Sequence, residues 1–115
     1  MKQIVLDTSF IISAVRNKID IFEELQEYKI IIPEQVIVEL QGISKSKSEA
    51  KIALKILSQN NFIRPDLKTK NTDNAIINYS KKNPQFIIAT LDKEIKKKTK
   101  NPKLIIRNKK KLEFI

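Results

Sequence analysis

Apolar residues fall along the chain in short runs, separated by stretches where they recur every three to four positions. The runs are Ile4–Leu6, Tyr28–Ile32, Phe86–Ala89 and Leu104–Ile106, and a brief Phe62-Ile63-Arg64 precedes Pro65. Runs of this kind suit strands covered on both faces. The helical spacing predicts a first helix from Thr8 to about Lys18, with Phe10, Ile11, Ala14 and Val15 on one face. Asp20 caps a short second helix that turns Ile21, Phe22 and Leu25 inward. Pro33 stops the second strand and sits in the first turn of Glu34–Gln41, whose apolar side is Val36, Ile37 and Leu40. Ser48 to about Gln59 carries the clearest stripe, Ala50, Ala53, Leu54 and Leu57. Thr72 caps a helix from Asp73 to about Lys82, with Ala75, Ile76 and Tyr79 inward, and Asn83-Pro84 breaks it. A lysine-rich helix follows from Asp92 to about Thr99, and Leu112, Phe114 and Ile115 suggest a final edge strand or docking tail.

Strands alternating with helices indicate parallel βαβ units with right-handed crossovers. The expected architecture is α/β, a three-layer α/β/α sandwich around a mostly parallel sheet of four or five strands. No internal repeat or boundary divides the 115 residues, so one domain over 1–115 is expected. Ser44–Ser48 and 65–71 are polar connections.

Composition then removes whole classes of chemistry. The chain has no Cys and no His, which excludes disulfides, thiolates, Ser-His-Asp triads and imidazole-based zinc sites. Any metal must be held by oxygen, which points to Mg2+ or Mn2+. A single glycine, Gly42, excludes GxGxxG and Walker A turns. No apolar run approaches the roughly 20 residues of a membrane helix. Met1-Lys2-Gln3 leads directly into a strand, so no signal peptide is expected and a cytoplasmic location is.

Four acids occupy suggestive places. Asp7 ends the first strand, and Asp92 follows the strand Phe86–Ala89 by three residues, so both belong at the carboxyl edge of a parallel sheet. That edge is where α/β folds bind ligands. Asp73 opens a helix, and Glu39 lies within the otherwise apolar Val36-Ile37-Val38-Glu39-Leu40. Each has an ordinary explanation as well. Asp7 is also placed to cap the next helix, and Asp73 and Asp92 suit the positive ends of helix dipoles. Together they suggest more, because crowded carboxylates repel one another and a divalent cation relieves that repulsion.

These stretches resemble the motifs of the PIN domain family, small metal-dependent nucleases, along essentially the whole chain. Val5-Leu6-Asp7-Thr8-Ser9 resembles the first acidic motif and Val36–Leu40 the helix-borne Glu. Thr72-Asp73-Asn74-Ala75-Ile76 resembles the third motif, and Ala89-Thr90-Leu91-Asp92-Lys93-Glu94-Ile95 the T-x-D segment of the fourth. Lys18–Leu25 and the ending Ile106–Lys111 resemble small archaeal-type members related to ribosomal-RNA-processing proteins. One departure is Asn74, where related chains often carry a second acid. The resemblance implies an endoribonuclease using Mg2+ or Mn2+. Asp7 and Asp92 would bind metal directly, Asp73 would complete the ligand set, and Glu39 would position or deprotonate the attacking water. Thr8, Ser9 and Thr90 would orient the carboxylates, and Asn74 would offer a carbonyl oxygen. A toxin-type ribonuclease and a weakly active RNA-binding scaffold are the alternatives, and a homodimer is compatible with the family.

The net charge of +10 is concentrated at the C-terminal end. Residues 93–111 carry +9, residues 1–92 carry +2 and residues 112–115 carry −1. A basic block of this size points to a polyanion, here RNA. On the helix after Asp92, Lys93, Lys96, Lys97 and Lys100 share one face at i, i+3, i+4 and i+7 spacing, and Arg107, Lys109 and Lys110 extend the block. The expected RNA path runs along that helical face, beside Asp92.

Overall fold

Strand β1 (Gln3–Leu6) lies inside the sheet because its aliphatic residues leave nothing polar to expose. Ile4, Val5 and Leu6 are completely buried. The computed structural model, which describes residues 1–115, pairs β1 in parallel with β2 (Lys29–Ile31) on one side and β3 (Ile87–Ala89) on the other. Strand β4 (Lys103–Arg107) continues in parallel beside β3, and β5 (Lys111–Phe114) closes the sheet antiparallel to β4. The order is β2-β1-β3-β4-β5, a mostly parallel five-stranded α/β sheet as expected. The C-terminal residues form the edge strand rather than a docking tail.

Alternation along β1 divides its side chains between the two faces. Ile4 and Leu6 join a large cluster with Phe10 and Ala14 of α1 (Thr8–Arg16), Leu40 of α3 (Glu34–Ile43) and Ala53 of α4 (Ser48–Ser58). Val5 packs instead in a smaller cluster with Ile31, Phe86 and Tyr79 of α5 (Thr72–Lys82). Burying an Ile, Leu or Phe side chain contributes roughly 1.5–3 kcal/mol, so the two clusters hold the sheet from both sides. The short helices are α2 (Ile21–Glu24), capped by Asp20 as its sequence predicts, and α6 (Lys93–Lys98). No helix is long and apolar enough to cross a membrane.

Several boundaries differ from the sequence pattern. Phe62–Arg64 makes only a single bridge, Ile31 to Ile63, because Pro65 has no N–H with which to extend the ladder. The cap of α5 is Asn71, not Thr72; Asn71 is extended and its side chain accepts the Asn74 N–H at 2.9 Å. Pro33 precedes α3 as its non-helical cap residue rather than lying in the first turn. Helix α6 stops at Lys98, where Thr99 turns extended, so Lys100 lies off the helix.

Candidate active site

The carboxyl edge of the sheet collects the starts of four helices. β1 leads into α1, and β3 leads through Thr90 and Leu91 into α6. α3 follows β2, and α5 returns toward the start of β3, so its first turn faces the same edge. Asp7 and Asp92 cap α1 and α6 at this edge, Asp73 lies in the first turn of α5, and Glu39 lies more than one turn into α3.

Asp7 is both a cap and more than a cap. Its Oδ1 accepts the Phe10 N–H at 2.8 Å and the Ser9 hydroxyl at 2.9 Å, and its Oδ2 accepts the Thr90 hydroxyl. The residue is only 3% exposed. Burial pushes its carboxyl up to about 6, although the bonds from Thr90, Phe10 and Ser9 pull the other way, and the charge of Asp92 adds to the rise. An ordinary exposed cap shows no such strain.

Asp92 caps α6 through one oxygen, Oδ1, which accepts the N–H groups of Glu94 at 2.8 Å and Ile95 at 3.1 Å. That leaves Oδ2 outside the cap. Two hydroxyls tie the segments of Asp7 and Asp92 together. Thr90 Oγ1 donates to Asp7 and accepts the Asp92 N–H at 3.0 Å, and Ser9 Oγ donates to Asp7 and accepts the Leu91 N–H at 3.3 Å.

Asp73 stands at the exposed first turn of α5. Its carboxyl is raised above the usual range by partial burial first, then by the charges of Asp92 and Glu39. Asp73 is therefore the electrostatic link between the Asp92 side and Glu39, which is exposed on α3 beside Lys70 and Thr72. The loop entering α5 is held by Gln35, one helical turn before Glu39. Gln35 Nε2 donates to Asp66 Oδ1 at 3.2 Å and to the Thr69 carbonyl at 3.0 Å, while Oε1 accepts the Leu67 N–H at 3.3 Å. Neither Gln35 nor Asn71 carries a motif in the sequence; only their cap- and turn-forming side chains hint at a role.

One expected helper behaves otherwise. Thr8 does not orient a carboxylate: its buried Oγ1 has no hydrogen-bond partner. Asn74 is exposed; its backbone N–H serves the Asn71 cap, which leaves its side-chain carbonyl uncommitted.

No three acids lie close enough to enclose an ion by themselves. The donor set still fits one that keeps its own waters, as Mg2+ does when held by one or two carboxylates. A carboxylate offers about four acceptor positions, and Asp7 uses three of its own. Asp92 keeps Oδ2, and the unpartnered Thr8 hydroxyl lies beside Asp7 in the chain.

The basic block is not uniform. Lys103 is 8% exposed, and its ammonium donates to the carbonyls of Thr99 and Asn101, closing the end of α6. Burial pulls its pKa down. Lys98 pairs with Glu94 at 3.3 Å, and Arg107 pairs with Glu113. Lys93, Lys97, Lys100, Lys109 and Lys110 are exposed, whereas Lys96 is half-buried.

Comparison with known proteins places the sequence and the fold. The family described as "PIN like domain" matches residues 4–109. Ribonuclease VapC4 of Methanocaldococcus jannaschii is 33% identical over 127 aligned positions, covering 99% of this chain and 97% of that protein. The structure of the PIN domain endonuclease Utp24 superposes with a TM-score of 0.82 at 26% identity, over 97% of this chain and 90% of that one. A domain of a functionally unknown protein from M. jannaschii shares the fold more distantly, with a TM-score of 0.54 and 22% identity over 83% and 81% of the two chains. With its acids at the carboxyl edge of a β2-β1-β3-β4-β5 sheet and a match over nearly its whole length, the chain belongs to the PIN-like domain family.

Proposed function

We propose that this protein is a divalent-metal-dependent endoribonuclease whose site is Asp7, Glu39, Asp73 and Asp92. One observation carries the reading: the Thr90 and Ser9 hydroxyls donate to the buried Asp7 carboxylate and accept N–H groups of the segment Leu91-Asp92, so they hold two acids at one sheet edge. Negative charge concentrated at a sheet edge, with Asp7 held against burial, suits a cation. In this reading Asp7 and Asp92 hold Mg2+ or Mn2+, and Asp73 completes the ligand set directly or through water. When bound, the ion lowers the pKa of water and offsets charge on the phosphate. Glu39 positions or deprotonates the attacking water. Ser9 and Thr90 fix the Asp7 carboxylate, so that its orientation is set before substrate arrives. RNA as substrate is supported by the ribonuclease relative and by the +9 charge of residues 93–111.

The test is incubation with structured ribosomal RNA fragments, with and without manganese, beside an Asp7→Asn variant. Cleavage that needs manganese and vanishes in the variant is the expected result. Equal cleavage by the variant overturns the assignment of Asp7. RNA binding without cleavage in any metal indicates a scaffold instead.

The substrate has two readings. The resemblance of Lys18–Leu25 and Ile106–Lys111 supports ribosomal RNA processing. The nearly full-length likeness to ribonuclease VapC4 favours a toxin-type ribonuclease with a narrower target. Mapping the cut sites on total RNA separates them: a cut at one ribosomal processing site supports the first, and cuts at one short motif in many RNAs support the second.

A further inference from the structure

Strands β3 and β4 run in parallel, and Ala89 is level with Leu104. β3 ends there, but β4 continues to Arg107 before turning into β5. Three further residues at about 3.3 Å each carry the β4–β5 hairpin roughly 10 Å past the carboxyl edge. The turn at its tip is Asn108-Lys109-Lys110, with Lys111 opening β5. All four are exposed. Helix α6 goes the other way. It begins at Asp92 on the carboxyl edge and descends toward the start of β4, about 1.5 Å per residue, so its lysines recede from the acids.

We propose that the β4–β5 hairpin is an arm that grips the phosphate backbone of RNA beside the acids, and that α6 is not the track. This rests on the RNA-cleaving reading above.

Two further observations support the arm. Arg107 pairs with Glu113 on the opposite strand, which stiffens the hairpin and spends that arginine on structure rather than on ligand. The lysines at the tip remain for phosphate. The second observation is the shape of the turn. Asn108 and Lys109 both have left-handed φ, 54° and 61°, as tight hairpin turns take at their tip. Lys18 and Lys68 also adopt left-handed φ elsewhere, so the backbone by itself marks no site. In the hairpin it holds the exposed Lys109 and Lys110 at the tip, and glycine would suit the Lys109 position with less strain. Lysine contacts of this kind hold the backbone without reading sequence, so the arm sets where RNA lies and not which RNA is taken.

The experiment measures binding of the full chain to a single-stranded RNA across a salt series. Four proteins are compared: wild type, a Lys109→Gln/Lys110→Gln/Lys111→Gln variant, a Lys93→Gln/Lys96→Gln/Lys97→Gln variant on α6, and Lys109→Gly. The hairpin variant is expected to lower the log–log salt slope by roughly 2, at about 0.7 per lost phosphate contact, with the α6 variant close to wild type. Lys109→Gly is expected to melt higher than wild type and still bind RNA more weakly, which separates loss of charge from loss of fold. If the α6 variant loses slope and the hairpin variant does not, the arm is wrong and the RNA reading stands. Equal losses in both also overturn the arm. A wild type with no salt-dependent RNA binding overturns the RNA reading itself.

Discussion

Thr90 Oγ1 gives its proton to Asp7 and takes the N–H of Asp92, so one buried hydroxyl joins two acids 85 positions apart. Thr90 is fully buried. Substituting Thr90→Val removes both bonds and leaves a carboxylate oxygen and an N–H without partners. Such a loss costs about 1–3 kcal/mol. It also removes a bond that lowers the Asp7 pKa, so that pKa rises further above 6. Thr90→Ser restores both. Urea denaturation of the two variants checks the first effect, and equal stability of Val and Ser would remove the bridge from the account.

The buried Asp7 has a definite pH signature. Folded, it keeps its proton to about 6; the ordinary value is 3.8. Between these values the folded state binds more protons than the unfolded chain, so this group's contribution to stability falls as pH rises. At pH 7 the ionised carboxylate costs about 3 kcal/mol. Asn preserves acceptors for Ser9 and Phe10 and can donate to Thr90. Asp7→Asn is therefore expected to be more stable than wild type near neutrality, with an advantage that shrinks toward about pH 4. A variant less stable at neutral pH contradicts the burial cost.

Lys103 separates structural from substrate-binding cations. Its ammonium closes α6 on the Thr99 and Asn101 carbonyls. Lys103→Ala is expected to lose about 1–3 kcal/mol of stability and to leave the salt slope of RNA binding unchanged. A smaller slope with unchanged stability would return Lys103 to the RNA-binding set.

Metal affinity follows from the ligand set proposed. Calorimetric titration is expected to show Mn2+ binding more tightly than Mg2+, because Mg2+ gives up its waters reluctantly. Asp92→Asn is expected to weaken both ions. Unchanged affinity in that variant removes Asp92 from the ligands.

The pattern of the chain showed what is local. Ile4–Leu6 reads as a buried strand because nothing in it is polar, and the acid that follows reads as a cap; the structure makes Asp7 both cap and buried carboxylate. The capping reading holds, and burial is added to it. What stayed hidden depends on partners far away in sequence. Thr90 and Ser9 look like ordinary cap and turn residues until β1 and β3 lie side by side. Lys103 looks like one more basic residue, yet its register beside Ile88 takes it inside. Its grip on Thr99 is also part of why α6 ends before Lys100, a stop that helical spacing alone does not reveal. Asn71 and Thr72 are both good caps, and only the turn into α5 selects Asn71.

The most direct test of the acid cluster as a cation site is NMR titration of the Asp7 side-chain carboxyl, without metal and with saturating Mg2+. Without metal it should titrate near 6. With Mg2+ its pKa should fall, since a bound cation favours the charged form. An Asp7 that titrates in the usual carboxylate range, or one whose pKa Mg2+ leaves unmoved, contradicts the account.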